Sequence, residues 1–468
     1  MQRDKILILA LLVIGGLSGT HATQSPARSR PNIVLILADD LGWADLSGFG
    51  NTFNETPRLD RLAEQGVRFT QFYAGPVCSP TRANLQSGQD QARFGITQHI
   101  PGHRRPFAKL IDPVVAPHLP GHVETFAERL RASGYATGYF GKWHLGGEGH
   151  GPALQGWEAV LEHQGHTVAP EVSGGVATVR AAEFLAGKAV AFIEASRDKP
   201  FLLQVSPAAV HIPISARPEL LQKYAAKKPM TGYPSRPDYA GLLEELDETV
   251  GRIADALDRV GLAGNTLFIF VSDNGGLEHL QNGTIVTSNT PLRGEKGSLY
   301  EGGIRVPAIV RWPNVVPAGV VSDTPVSTMD IYPTLLELAG VPAPEHQPLD
   351  GVTLAPVLRN PRASLSRDAL YWHLPHYHHS TPAGAIRRGH WKLIEFFETG
   401  ALQLYNLRDD LSERHDLAAK HPRKARELRS ALAAWRQQVG ARMPTPNPMY
   451  DPARANELAG PPARARER

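Results

Sequence analysis

The run "NIVLILADD", residues 32–40, decides the fold. From Ile33 to Ala38 it is continuously apolar and does not alternate, which is the pattern of a strand covered on both faces. It stops abruptly at two aspartates, Asp39 and Asp40. Runs of the same kind recur at Ala136–Phe140, Phe201–Val205, Thr266–Val271 and Val306–Arg311, and all five are expected as parallel strands of one sheet. Helical patterns fall between them, from Thr56-Pro57 to about Gly66 and over Val123–Ala132, Ala181–Ala195, Tyr239–Val260 and Met329–Leu338. Strands alternating with helices imply an α/β core with helices on both sheet faces.

After about residue 365 the pattern changes. Short segments at Ala385–Phe396 and Ala401–Leu407 suggest a small antiparallel sheet, followed by a helix from about Pro422 to Val439. A boundary is expected near Pro361, dividing a large unit of residues 31–360 from a smaller one of 361–445, with 446–468 as a flexible tail.

At the N-terminus, Arg3 and Lys5 precede the apolar run Ile6–Ile14 and then small residues to Ala22. This is the layout of a secretory signal peptide over residues 1–22, too short for a span of about 20 apolar residues. Export would permit disulfides, yet the 468 residues hold one cysteine, so the core must supply the stability. Loss of Arg3, Lys5 and Asp4 takes the net charge from +3 to +2, too near neutral to suggest nucleic acid as a partner.

In an open α/β sheet, ligands gather at the carboxyl ends of the strands. There the sequence places Asp39 and Asp40 after one strand and Asp273 and Asn274 after Thr266–Val271. Adjacent buried carboxylates repel unless a cation lies between them, and an all-oxygen set suits Ca²⁺ or Mg²⁺ better than zinc. The same residues are also ordinary turn formers, so each pair alone says little. Cys78 begins Cys78-Ser79-Pro80-Thr81-Arg82. Pro80 suits the first turn of a helix, Arg82 lies one turn on, and a helix N-terminus favours an anion. A cysteine without such a setting is more often an inert buried hydrophobe. Lys142 and His144, two apart beyond Ala136–Phe140, are expected on the same side of an extended strand.

With these motifs the chain resembles the formylglycine-dependent type I sulfatases, of the arylsulfatase and N-acetylgalactosamine-6-sulfatase kind. Cys78–Arg82 matches their modified Cys-x-Pro-x-Arg element. Gly134–His144, Leu292–Gly297 and Tyr300–Pro307 match later motifs in the right order, while Gln86, Ser87 and Gln89 depart from the usual residues. The resemblance implies an alkaline-phosphatase-like sulfatase fold, with a large, mixed, mostly parallel sheet flanked by helices and a small C-terminal antiparallel sheet. It implies that a maturation enzyme oxidises Cys78 to formylglycine, whose hydrate attacks sulfur with one hydroxyl and collapses to the aldehyde with the other. It further implies that Asp39, Asp40, Asp273, Asn274 and residue 78 hold one Ca²⁺, or alternatively Mg²⁺, and that Arg82 stabilises the ionised diol. Lys142 and Lys296 would bind sulfate oxygens, His144 would act as base on the second hydroxyl, and His211 would protonate the leaving oxygen.

The expected substrate is a sulfated small molecule or glycan, met in the periplasm or outside the cell, with no membrane partner once the signal is removed. Two rivals stand beside this reading. One is a phosphate or phosphonate ester hydrolase of the same superfamily; the other is a non-catalytic sulfated-glycan binding protein in which Cys78 stays a thiol. Trp372, His373, His376, Tyr377, His378 and His379 match no strong metal-ligand spacing and are expected in a loop at the pocket mouth, able to stack on or hydrogen-bond a sugar ring. His99, His103, Arg104 and Arg105 either meet an anionic polymer or face solvent.

Overall fold

The computed structural model describes residues 30–459, apart from positions 170, 173, 174, 177 and 282. The expected signal peptide lies outside the described residues. Among them, no helix is long and apolar enough to cross a membrane.

The large sheet has nine strands. In chain order they are β1 (Asn32–Ala38), β2 (Val67–Tyr73), β3 (Ala136–Gly141), β4 (Ala159–Glu162), β5 (Phe201–Ser206), β6 (Thr266–Ser272), β7 (Arg305–Arg311), β8 (Val320–Ser322) and β9 (Val326–Ser327). The spatial order is β8-β2-β7-β6-β1-β5-β3-β4, with β9 also on β2. β1 is central, and its continuous apolar run is explained by two cores. Ile33, Leu35 and Leu37 pack on one face and Val34, Ile36 and Ala38 on the other.

Four of the five expected strands are parallel, but β7 runs antiparallel to both β6 and β2. Its apolar run is as unbroken as that of β1, so burial on both faces was legible and direction was not. β2 was missed because its half-buried polar residues Arg68, Thr70 and Gln71 interrupt the apolar pattern. The reversal matters for function. It brings the start of β7, and residues 292–304 before it, to the sheet edge where the parallel strands end.

The helices lie close to expectation, with differences at their starts. The helix expected from Val123 begins at Phe126, because Thr125 and Glu128 form a reciprocal capping box. The first helix, Pro57–Glu64, is not capped by Thr56. Its free N–H groups at Arg58 and Leu59 donate instead to Asp247, on the long helix Pro237–Arg259.

Four antiparallel strands, β10 (Leu370–Leu374), β11 (Ala383–Arg388), β12 (Trp391–Phe396) and β13 (Leu402–Asn406), form the small sheet. The segment expected as Ala385–Phe396 is split by a turn at Gly389, whose φ of 59° suits glycine. Helix Pro422–Val439 covers the sheet, with Trp435 stacked on Tyr371 at 4.9 Å. The stretch read as a flexible tail from 446 instead runs along residues 104–111 as far as Ala459, through backbone bonds from Asn447 to Lys109, Asp451 to Phe107 and Ala459 to Arg104.

A buried charge cluster joins the two sheets. Lys392 on β12 lies 2.9 Å from Glu301, just before β7, and 2.9 Å from Glu413, though its approach to Glu413 is off the hydrogen-bonding angle. All three side chains are fully buried. Removing the cation leaves Glu413 buried without its countercharge and Glu301 with Arg305 alone as a close ion-pair partner, so Lys392→Met is expected to cost about 3–5 kcal/mol. Urea unfolding checks this, and a loss below about 1 kcal/mol would show the cluster is dispensable.

Candidate active site

The register of the parallel strands assembles the site. Ala38 of β1 pairs with Ser272 of β6, so Asp39 and Asp273 leave neighbouring strands side by side. The Asp273 amide donates to Ala38 O, and the Asp40 amide donates to Asp273 Oδ1 at 3.2 Å. Asp40 has φ of 61°, an uncommon conformation for a non-glycine residue that turns it away from the strand line.

Cys78 is the first residue of helix Cys78–Ser87, which follows β2. No side chain caps this end of the helix, so its positive end is left to the site. One turn on, Arg82 donates from Nη2 and Nε to Asp273 Oδ2 at 2.7 and 3.2 Å, and from Nη1 to Lys142 O at 2.6 Å. Lys142 Nζ lies 2.6 Å from Asp39, and Lys296 Nζ lies 2.8 Å from Asp40. Asn274 donates to Asp40 at 2.7 Å, and His211 Nε2 stands 3.6 Å from Asp40. All the sequence-predicted site residues therefore meet at one sheet edge.

The route differs at one point. β3 stops at Gly141, whose φ of 120° and contact with Ser206 O leave no room for a side chain. Lys142 and His144 reach the site through a turn, with His144 at φ 59°, and strand alternation plays no part.

The electrostatics follow from burial and charge. Burial opposes ionisation of Asp39, but Lys142, His211 and Arg82 outweigh it and hold the carboxyl well below its ordinary range. Asp273 goes the other way, raised by burial and by Asp39 despite Arg82. Facing carboxylates split in this way where positive charge is insufficient. Burial pushes the Cys78 thiol up, yet Lys142 and Lys296 prevail and leave it below a free thiol. Burial, Lys142 and Arg82 push His144 down to about 3, so its ring is neutral. His144 Nε2 is 2.7 Å from Ile100 O; a carbonyl only accepts, so Nε2 carries the proton and the buried, unpartnered Nδ1 is a free acceptor.

Two buried oxygens, Asp39 Oδ1 and Asn274 Oδ1, have no hydrogen-bond donor. Ligand atoms of Asp39, Cys78 and Asp273 lie within 4.8 Å of one another, as do those of Asp39, Asp40 and His211. Orphaned hard oxygens among three acids fit a divalent hard cation.

The two aromatics of the segment are not the exposed stacking surface expected of the loop. Trp372 is buried and donates to Ala74 O, four residues before Cys78, and Tyr377 is also buried. His373 bonds to Arg442 O and His376 to Thr97, while His379 bonds to Lys296 O at 2.8 Å. Sequence reasoning also missed Ile100, which orients His144 through its carbonyl. A backbone group leaves no side-chain signal.

Comparison with known proteins agrees with this arrangement. The Sulfatase family profile matches residues 31–341, and the profile described as N-sulphoglucosamine sulphohydrolase, C-terminal, matches 294–438. A sulfatase of Formosa agariphila is 32% identical over 93% of this chain and 94% of its own. The N-acetylgalactosamine-6-sulfatase of Sus scrofa is 33% identical over 75% of this chain and 69% of its own. The structure of Ps i-CgsB with k-i-k-neocarrahexaose superposes with a TM-score of 0.75 at 28% identity, covering 90% of this chain and 95% of that one. The match over most of the chain, on an alkaline-phosphatase-like core, establishes that the chain belongs to the sulfatase family and is a sulfuric ester hydrolase.

Proposed function

We propose that the enzyme is exported and releases sulfate from sulfated carbohydrates, using formylglycine made from Cys78 and one divalent cation, Ca²⁺ with Mg²⁺ as the alternative. The observation that carries this is the setting of Cys78. Its sulfur lies at a helix N-terminus beside Lys142 and Lys296, which favour an anion there, and within ligand reach of Asp39 and Asp273. The same setting suits the ionised oxygen of a hydrated formylglycine. The carbohydrate preference draws on one relative named N-acetylgalactosamine-6-sulfatase and one solved in complex with k-i-k-neocarrahexaose.

Asp39, Asp40, Asp273, Asn274 and residue 78 would hold the ion, which supplies Lewis-acid polarisation of a sulfate oxygen. The chain's own residues do the rest. Arg82, fixed by Asp273 and Lys142 O, offsets negative charge at residue 78. Lys142 and Lys296 face the developing oxyanion; each such donor is worth roughly 10²–10³ in rate. His144 holds its free Nδ1 ready to accept the proton of the second hydroxyl. At His211, Nδ1 is 2.6 Å from Ile212 O, so Nδ1 carries the proton and Nε2 faces the site.

Mass analysis of the Cys78 peptide tests the nucleophile: conversion to formylglycine supports the reading, and an intact thiol in active enzyme refutes it. Aryl sulfate is expected to be cleaved faster than the matching aryl phosphate; the reverse order would move the enzyme to the phosphoester branch. Chelation is expected to abolish turnover and lower the melting temperature, with Ca²⁺ or Mg²⁺ restoring both. An ion at a hundredfold its Kd stabilises by about 2.7 kcal/mol, a few degrees for a chain of this size. Unchanged melting after chelation and re-addition would count against the ion site.

A further inference from the structure

We propose that His99, His103 and His378 form a second metal site, for a borderline transition-metal dication of the Zn²⁺ or Co²⁺ class, on the rim of the candidate active site and separate from its oxygen-rich centre. His99 and His103 share one segment and His378 comes from another, far away in sequence, yet one nitrogen of each lies within 4.8 Å of the others. Ring centroids are 5.2 Å apart for His99 and His103, 5.2 Å for His103 and His378, and 5.7 Å for His99 and His378. Nitrogens bound tetrahedrally at 2.0–2.1 Å sit roughly 3.3 Å apart, so small torsional shifts close the site.

The surroundings leave lone pairs free. His103 Nε2 is 2.9 Å from Tyr377 O, and since a carbonyl only accepts, Nε2 is the protonated nitrogen and Nδ1 is available. A backbone carbonyl behind a histidine is the usual device for orienting a metal ligand. His378 Nδ1 is buried without a hydrogen-bond partner. All three rings are neutral, because burial holds each below the ordinary histidine range and neighbouring positive groups deepen the shift. Neutral imidazole is the form that binds metal.

Charge is the main objection, since Arg105 reaches His378 O at 3.1 Å and Lys296 is close by. Asp112 offsets it. Both its carboxylate oxygens are buried without a hydrogen-bond partner, it stands 3.7 Å from His376, and it favours positive charge at His103. Three nitrogens leave a fourth position for water, and an all-nitrogen set selects against the hard ion expected among the aspartates.

The position gives the site a consequence. The His378 ring packs against Gly297, where a Cβ would come within 1.8 Å of Nδ1, and the adjacent His379 holds Lys296 O. His99 precedes Ile100, whose carbonyl orients His144. An ion here ties together the two segments that position Lys296 and His144.

The binding test does not depend on the proposed reaction. Protein saturated with Ca²⁺ is titrated calorimetrically with Zn²⁺, and separately with Co²⁺ read by its visible spectrum. One equivalent is expected to bind, with affinity lowered about tenfold or more in His99→Ala, His103→Ala and the more conservative His103→Gln, and retained in Cys78→Ala. Absence of binding to the Ca²⁺-saturated protein, binding that survives both His99→Ala and His103→Ala, or binding lost in Cys78→Ala would each overturn the proposal.

Discussion

Cys78→Ala is expected to abolish sulfate release on every substrate, a loss of roughly 10⁶ as for other deleted nucleophiles, while the fold survives. The cysteine occupies the first turn of its helix, and its side chain contributes little packing beyond one small buried group. The charges around it stay paired without it: Arg82 with Asp273, Lys142 with Asp39 and Lys296 with Asp40. Melting temperature should therefore move by only a few degrees. Cys78→Ser is the more informative partner. Serine offers one hydroxyl where the hydrated aldehyde offers two, so a sulfated serine has no second oxygen from which to expel sulfate. At most one turnover is expected, leaving a chain heavier by one SO₃ group in intact mass analysis. Sustained turnover by the alanine variant would refute a nucleophile at position 78.

His211→Ala is expected to divide substrates by leaving group. General-acid catalysis is worth roughly 10²–10⁴, and that contribution is needed only where the departing oxygen is strongly basic. Sugar and alkyl sulfates should lose activity by about that factor, while a nitrophenyl sulfate should lose far less. To act as the acid, His211 must carry a proton on Nε2 as well as on Nδ1; Ile212 O accepts from Nδ1–H and orients the ring, Nε2 lies 3.6 Å from the Asp40 carboxylate, and the side chain is 30% exposed, as a group meeting an incoming substrate must be. Equal losses across leaving groups would assign His211 to binding, and the acid would have to be sought elsewhere.

Much of this site was legible in the sequence because its polar residues interrupt an otherwise apolar grammar. Asp39-Asp40 and Asp273-Asn274 end runs that are buried on both faces, and Pro80 marks the helix that carries Cys78 and Arg82. Strand direction was not legible, since the apolar run of β7 reads alike both ways and its reversal depends on which neighbours it pairs with. The same limit hid the contribution of Ile100 and the convergence of His99, His103 and His378. In the sequence, Trp372 looked like an exposed platform, and only tertiary packing shows its indole turned inward to Ala74 O.

The reversed strand also bears on how the molecule can be dissected. Because β7 arrives head-first at the working edge, the loop bearing Lys296 is braced from behind by Glu301, Lys392 and Glu413, and by Leu299 and Ile304 packed against Leu370 and Trp372. A fragment ending before Leu370 would keep every residue proposed for sulfate-ester hydrolysis, yet it would strip the scaffolding from Lys296 and take Lys392 away from Glu301. The C-terminal sheet is thus a buttress of the catalytic apparatus, and shortening the chain there should cost activity before any reacting group is removed.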